Sequence, residues 1–113
     1  MDDDRLRALT QRLRDFSAAR QWERFHSPKN LAMALAGETG ELIAELQWLT
    51  EDESRAPAAE RLQRVRDEAA DVFIYLVRLA DALGIDLIEA AHAKMDRNEQ
   101  RFPAGSAPGH GAP

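Results

Sequence analysis

The chain has 113 residues, 44% hydrophobic and 31% charged, with a net charge of −5 and no cysteine. That size suits one domain, and no apolar run approaches the roughly 18 residues that a bilayer span needs, which excludes a membrane-spanning protein. Without cysteine there are no disulfides or thiolate metal sites, and an acidic chain without a basic stripe argues against a nucleic-acid polymer as partner.

The N-terminal sequence MDDDRLRALTQRLRDF is acidic and then mixed in charge, unlike a secretory signal, so a cytoplasmic protein is expected. A first helix is predicted from about Asp4 to Arg20, with Leu6, Leu9, Leu13 and Phe16 on one side. Ser27 followed by Pro28 reads as an N-cap with proline at the first helical position, starting a second helix that runs to about Leu49. The polar segment TEDESRAPAAE with Pro57 reads as a loop, and a third helix follows from about Pro57 to Leu83, closed by Gly84. Asp86 and Glu89 have capping-box spacing for a fourth helix that ends before Pro103. The expected body is an all-α domain over residues 1–103, and the Gly/Pro/Ala-rich segment 104–113 reads as a disordered tail.

Within the third helix, Val72-Phe73-Ile74-Tyr75-Leu76-Val77 has strand propensity, but helical spacing continues on both sides with no turn signal. As helix, these side chains cover nearly the whole circumference and must be buried all round, which predicts a subunit interface in a homo-oligomer.

The second helix carries GETGELIAELQW. With Glu38 at zero on a helical wheel, Glu41 falls near ~300°, Glu45 near ~340° and Trp48 near ~280°, beside a stripe formed by Leu31, Leu35, Leu42 and Leu49. The third helix repeats the pattern, with Glu68, Asp71 and Tyr75 on one side. Carboxylates crowded at the edge of a core repel one another and lose hydration, and bound divalent cations offset both effects. Between Gly37 and Trp48 there is no lysine or arginine to do so instead. Gly37 and Gly40 each weaken the helix by about 1 kcal/mol relative to alanine, as expected where something approaches the backbone. With only oxygen or imidazole donors available, magnesium or manganese is the expected cation.

Glu38-x-x-Glu41 followed by Glu68-x-x-Asp71 resembles the metal signature of the all-α nucleoside triphosphate pyrophosphatases, the MazG-like superfamily. Residues 20–31 (RQWERFHSPKNL), Gln47-Trp48, Asp71-Val72-Phe73-Ile74-Tyr75-Leu76-Val77 and Lys94-Met95-Asp96-Arg97-Asn98 resemble its dCTP pyrophosphatase branch. The broader pattern begins with two adjacent glutamates, but here the first is Gly37, as in that branch.

The resemblance implies a four-helix MazG-like bundle assembled as a homodimer or homotetramer. It also implies magnesium at Glu38, Glu41, Glu68 and Asp71, and attack by a metal-activated water on a nucleoside triphosphate to give the monophosphate and pyrophosphate. Glu41 and Glu45 are the candidate catalytic acids, Glu45 either as a further ligand or as the group that orients the water. Trp22, His26 and Trp48 would form the nucleoside pocket, with Tyr75 packed on the sugar where it disfavours a ribose 2′-hydroxyl. Lys29, Lys94, Asn98 and Arg101 resemble positions that meet phosphates or base, some reaching in from a neighbouring subunit.

Two rival readings are open. Glu23-x-x-His26 and Glu89-x-x-His92 have the spacing of di-iron carboxylate bundles, although Glu89 faces away from the apolar side of its helix. A non-catalytic helical interaction module would account for the apolar third helix but not for acids clustered at a seam.

Overall fold

A computed structural model describes residues 3–105. Among these residues it is all-helical, with α1 (Asp3–Ala19), a 3-10 turn (Glu23–Phe25), α2 (Pro28–Leu46), α3 (Glu51–Arg55), α4 (Ala59–Ala82) and α5 (Leu87–Arg101). Most of the expected tail, residues 106–113, lies outside the described residues. None of the helices is long and apolar enough to cross a membrane.

Helix boundaries follow from local hydrogen bonding. α1 ends where the Trp22 N–H donates to the Ser17 carbonyl at 3.0 Å and the Gln21 N–H to that of Ala18 at 3.1 Å, with Gln21 left-handed at φ 55°. This Schellman geometry satisfies two terminal carbonyls, and it places a non-glycine residue in a conformation that costs it roughly 1–2 kcal/mol. α2 starts as expected: Ser27 Oγ accepts the Asn30 N–H at 3.2 Å, and Asn30 Nδ2 donates to the Phe25 carbonyl at 2.9 Å, tying the 3-10 turn to the helix. It ends at Leu46 rather than Leu49.

The expected loop contains α3. Thr50 Oγ1 accepts the Glu53 N–H at 3.1 Å while Glu53 Oε1 accepts the Thr50 N–H at 2.8 Å, a reciprocal box that nucleates the helix despite its polar composition. The Thr50 backbone N–H, followed by its side chain, holds the Glu53 carboxyl below the usual range. α4 closes as predicted at Gly84, where φ is +67°, the Ile85 N–H bonds the Ala80 carbonyl at 2.8 Å and the Gly84 N–H that of Asp81 at 3.2 Å. Asp86 caps α5 by accepting the Glu89 N–H at 3.0 Å.

α2 and α4 pack along their lengths and form the main seam; α1 leans on α4, and α5 is only lightly attached. The core is thin, comprising Leu31, Val77 and Ala80 with Ser17 beside them. The radius of gyration is 16.9 Å, against about 13 Å for a closed domain of this length. Phe16, Phe73, Ile85 and Met95 are all exposed. One chain therefore does not bury the apolar run of α4: Val77 is enclosed, but Phe73 remains 44% exposed.

Candidate functional site

Glu38 and Glu41 sit one turn apart on α2, and Glu68 and Asp71 repeat that spacing on α4. Side chains three residues apart share a helix face, so the α2–α4 seam brings the two motifs together. One carboxylate oxygen from each of Glu38, Glu41 and Glu68 lies within 4.8 Å of the others. Oxygens around a hard cation at 2.0–2.6 Å are separated by up to roughly 4–5 Å, so this spacing fits one.

The electrostatics agree. Burial first, then the charges of Glu41 and Asp71 and a shared hydrogen bond with Glu41, pushes the Glu38 carboxyl up from the ordinary glutamate value. Glu68 is pushed up by desolvation first, then by its hydrogen bond with Glu41 and by the charges of Glu41, Asp71 and Glu38. Glu38 Oε2 and Glu68 Oε2 are enclosed without a hydrogen-bond partner. Enclosed acceptors without donors, in acids that resist ionising together, are the arrangement that a divalent cation relieves.

Glu45 stands apart from this group. Arg64 Nε donates to its Oε1 at 3.0 Å, Arg61 Nη1 lies 3.5 Å from the same oxygen, and Arg61 also donates to the Glu45 carbonyl at 2.6 Å. No lysine or arginine stands between Gly37 and Trp48 in the chain, but α4 supplies Glu45 with two basic partners in space. The space at Gly37 and Gly40 is likewise not used within one chain: a Cβ at either would meet nothing within 4 Å.

Glu38 and Asp71 also line a cleft of about 460 Å³ between α1, α2 and α4, whose walls include Phe16, Trp22, His26, Ile74 and Tyr75. Trp22 packs edge-on against Phe16 at 5.5 Å and His26 at 6.2 Å between ring centroids. Burial, followed by the charge of Arg78, lowers the His26 pKa. Three of the expected nucleoside-contacting residues, Trp22, His26 and Tyr75, thus share a cleft with two of the acids.

The other expected contacts do not line this cleft. Trp48 is 87% exposed beyond the end of α2, Lys29 is exposed in its first turn, and Lys94, Asn98 and Arg101 lie on the outlying α5. The two Glu-x-x-His pairs do not form a di-iron site: Glu89 and His92 are exposed on α5, and Glu38, Glu41 and Glu68 are the metal-capable group among the described residues.

Sequence reasoning did not select Arg78, which also lines the cleft. The signal was present, because Arg78 falls near ~280° on the wheel that puts Asp71 near ~300° and Tyr75 near ~340°. An arginine in an apolar run is easily taken for a side chain reaching to solvent.

The chain is 45% identical over 91 residues to dCTP pyrophosphatase 1 of Rattus norvegicus, covering 79% of this chain and 54% of that protein. It is 45% identical over 92 residues to dCTP pyrophosphatase 1 of Homo sapiens, covering 80% and 54%. The chain therefore spans about half the length of these curated relatives. A crystal structure of a pyrophosphatase from Archaeoglobus fulgidus superposes with a TM-score of 0.83 at 39% identity, over 88% of this chain and 93% of that one. The MazG-like family model matches residues 35–109, a span that contains all four acids of the seam; the chain belongs to the MazG-like family.

Proposed function

We propose that the chain is a magnesium-dependent nucleotide pyrophosphohydrolase that converts a nucleoside triphosphate, dCTP or a modified pyrimidine relative, to the monophosphate and pyrophosphate. Its role is then to clear such nucleotides from the pool. The observation that carries this reading is that Glu38, a member of the carboxylate cluster, lines a cleft with Asp71, Trp22, His26 and Tyr75. The pyrophosphatases to which the chain is similar support it.

Glu38, Glu41, Glu68 and Asp71 hold the cation. Magnesium, or manganese, when bound, offsets the triphosphate charge and acidifies the attacking water. Glu41, the exposed member of the cluster, accepts the water proton. Glu45, pinned by Arg61 and Arg64, braces the seam. Trp22 supplies a face for the base, His26 a ring nitrogen for its edge, and Tyr75 packs against the sugar.

The working unit is a homodimer or homotetramer. Large exposed apolar side chains on α1, α4 and α5 favour it, as does the open shape of one chain. Lys29, Trp48, Lys94, Asn98 and Arg101 then complete the site of a neighbouring copy. Incubation with each ribo- and deoxynucleoside triphosphate and magnesium, with separation of products, tests the activity. Monophosphate and pyrophosphate in equal amounts are expected; release of orthophosphate, or no turnover with any substrate, refutes it.

A further inference from the structure

Arg78 belongs to α4, and its side chain is 12% exposed. It lines the cleft with Trp22, His26 and Tyr75. Its Nη1 lies 3.5 Å from Asp81 Oδ2, and Asp81 in turn takes two hydrogen bonds from Arg14 of α1, one of them from Nε at 2.8 Å. The guanidinium is therefore anchored at one corner. Its other edge is only partly used: Nη2 meets His26 Nδ1 at 3.5 Å, and Nε is enclosed with no partner. A guanidinium has five N–H groups and no acceptor, and one left desolvated and unpaired is costly. An arginine held this way, beside a cleft, has donor capacity that the chain does not fill.

The position says which part of a ligand provides it. Arg78 lies seven residues beyond Asp71 on the same stripe of α4, roughly 10 Å along the axis. The carboxylates occupy the near end, where cation-bridged phosphates belong, and a sugar spans the interval. The group that reaches Arg78 is the base. We infer that Arg78 is a specificity-determining residue of the cleft, donating to a carbonyl oxygen of the base and so favouring cytosine, thymine, uracil or guanine, which carry one, over adenine, which does not. This rests on the nucleotide-hydrolase reading above and adds to it the atom type that the cleft selects.

The test measures kcat and KM for dCTP, dTTP, dGTP and dATP with magnesium, using the wild type, Arg78→Met, Arg78→Lys and Arg14→Gln. Arg78→Met is expected to lower kcat/KM for the carbonyl-bearing bases by roughly 10- to 100-fold more than for dATP, mostly through KM. Arg78→Lys keeps the charge but not the fork, and should show the same narrowing of preference if Arg78→Met folds poorly. Arg14→Gln loosens the anchor between α1 and α4, and should lower the melting temperature while the ratio between bases stays near wild type. An equal loss on all four substrates in both Arg78 variants, or an unchanged preference, overturns the inference and leaves hydrolysis standing. A wild type that hydrolyses none of the four overturns the parent reading and the inference with it.

Discussion

At the residue scale, the site is defined by acids that disfavour one another. Each of Glu38 and Glu68 is raised in pKa by desolvation and by its neighbours, so these acids resist ionising together, a strain that a bound cation would relieve. Two outcomes follow. In chelator, Glu68→Gln should raise the melting temperature, because the amide keeps the shape and drops a repelling charge; in magnesium the wild type should gain stability and Glu68→Gln should not. Scanning calorimetry with and without magnesium checks both. Glu41→Ala and Asp71→Ala should abolish pyrophosphate release with helicity by circular dichroism intact, and activity retained in both would contradict their assignment. The pairing of acids on each helix is legible because i, i+3 spacing survives folding unchanged, and the structure brings Glu38, Glu41 and Glu68 together. The partners of Glu45 were not, since Arg61 and Arg64 meet it only across the seam.

At the element scale, short local devices set the boundaries. Gly84 ends α4 with φ at +67°, and a Cβ there would touch nothing within 4 Å, so Gly84→Ala isolates the backbone cost. A loss of about 1 kcal/mol in urea unfolding is expected. The Arg14–Asp81 pair clamps α1 to α4 and, through Arg14 first, holds the Asp81 carboxyl below its ordinary value. A carboxyl depressed in the folded state contributes stability above its unfolded pKa and loses it as pH falls through the folded value. Wild type should therefore exceed Arg14→Gln in stability near neutral pH, and the difference should shrink below about pH 4, measured by denaturant titrations across that range. The N-caps at Ser27 and Asp86 and the stop at Gly84 were readable because each acts within a few residues. The Thr50-x-x-Glu53 box is equally local, but the polar composition around Pro57 masks α3 in the sequence.

At the scale of the whole molecule, one chain leaves large apolar side chains uncovered, which supports the proposed assembly. Phe16, Phe73 and Met95 are exposed, and α5 has little to rest on. A second copy on this surface should make the melting temperature depend on protein concentration. Sedimentation equilibrium should give a dimer or tetramer, and Phe73→Glu should yield a smaller, less stable species. A concentration-independent monomer would refute the assembly.

The sequence by itself determined the helical class, the stripes, the caps and the two acidic motifs, because hydrophobic period, capping chemistry and i, i+3 spacing are properties of neighbours along the chain. Only the tertiary structure decided which acids converge, that Glu45 is claimed by Arg61 and Arg64, that Trp22, His26 and Tyr75 share a cleft with the carboxylates while Trp48 and Lys94 do not, and that Arg78 joins them. Those facts depend on how α1, α2 and α4 are docked, and docking is set by packing between residues far apart in the chain, where no local periodicity carries the information.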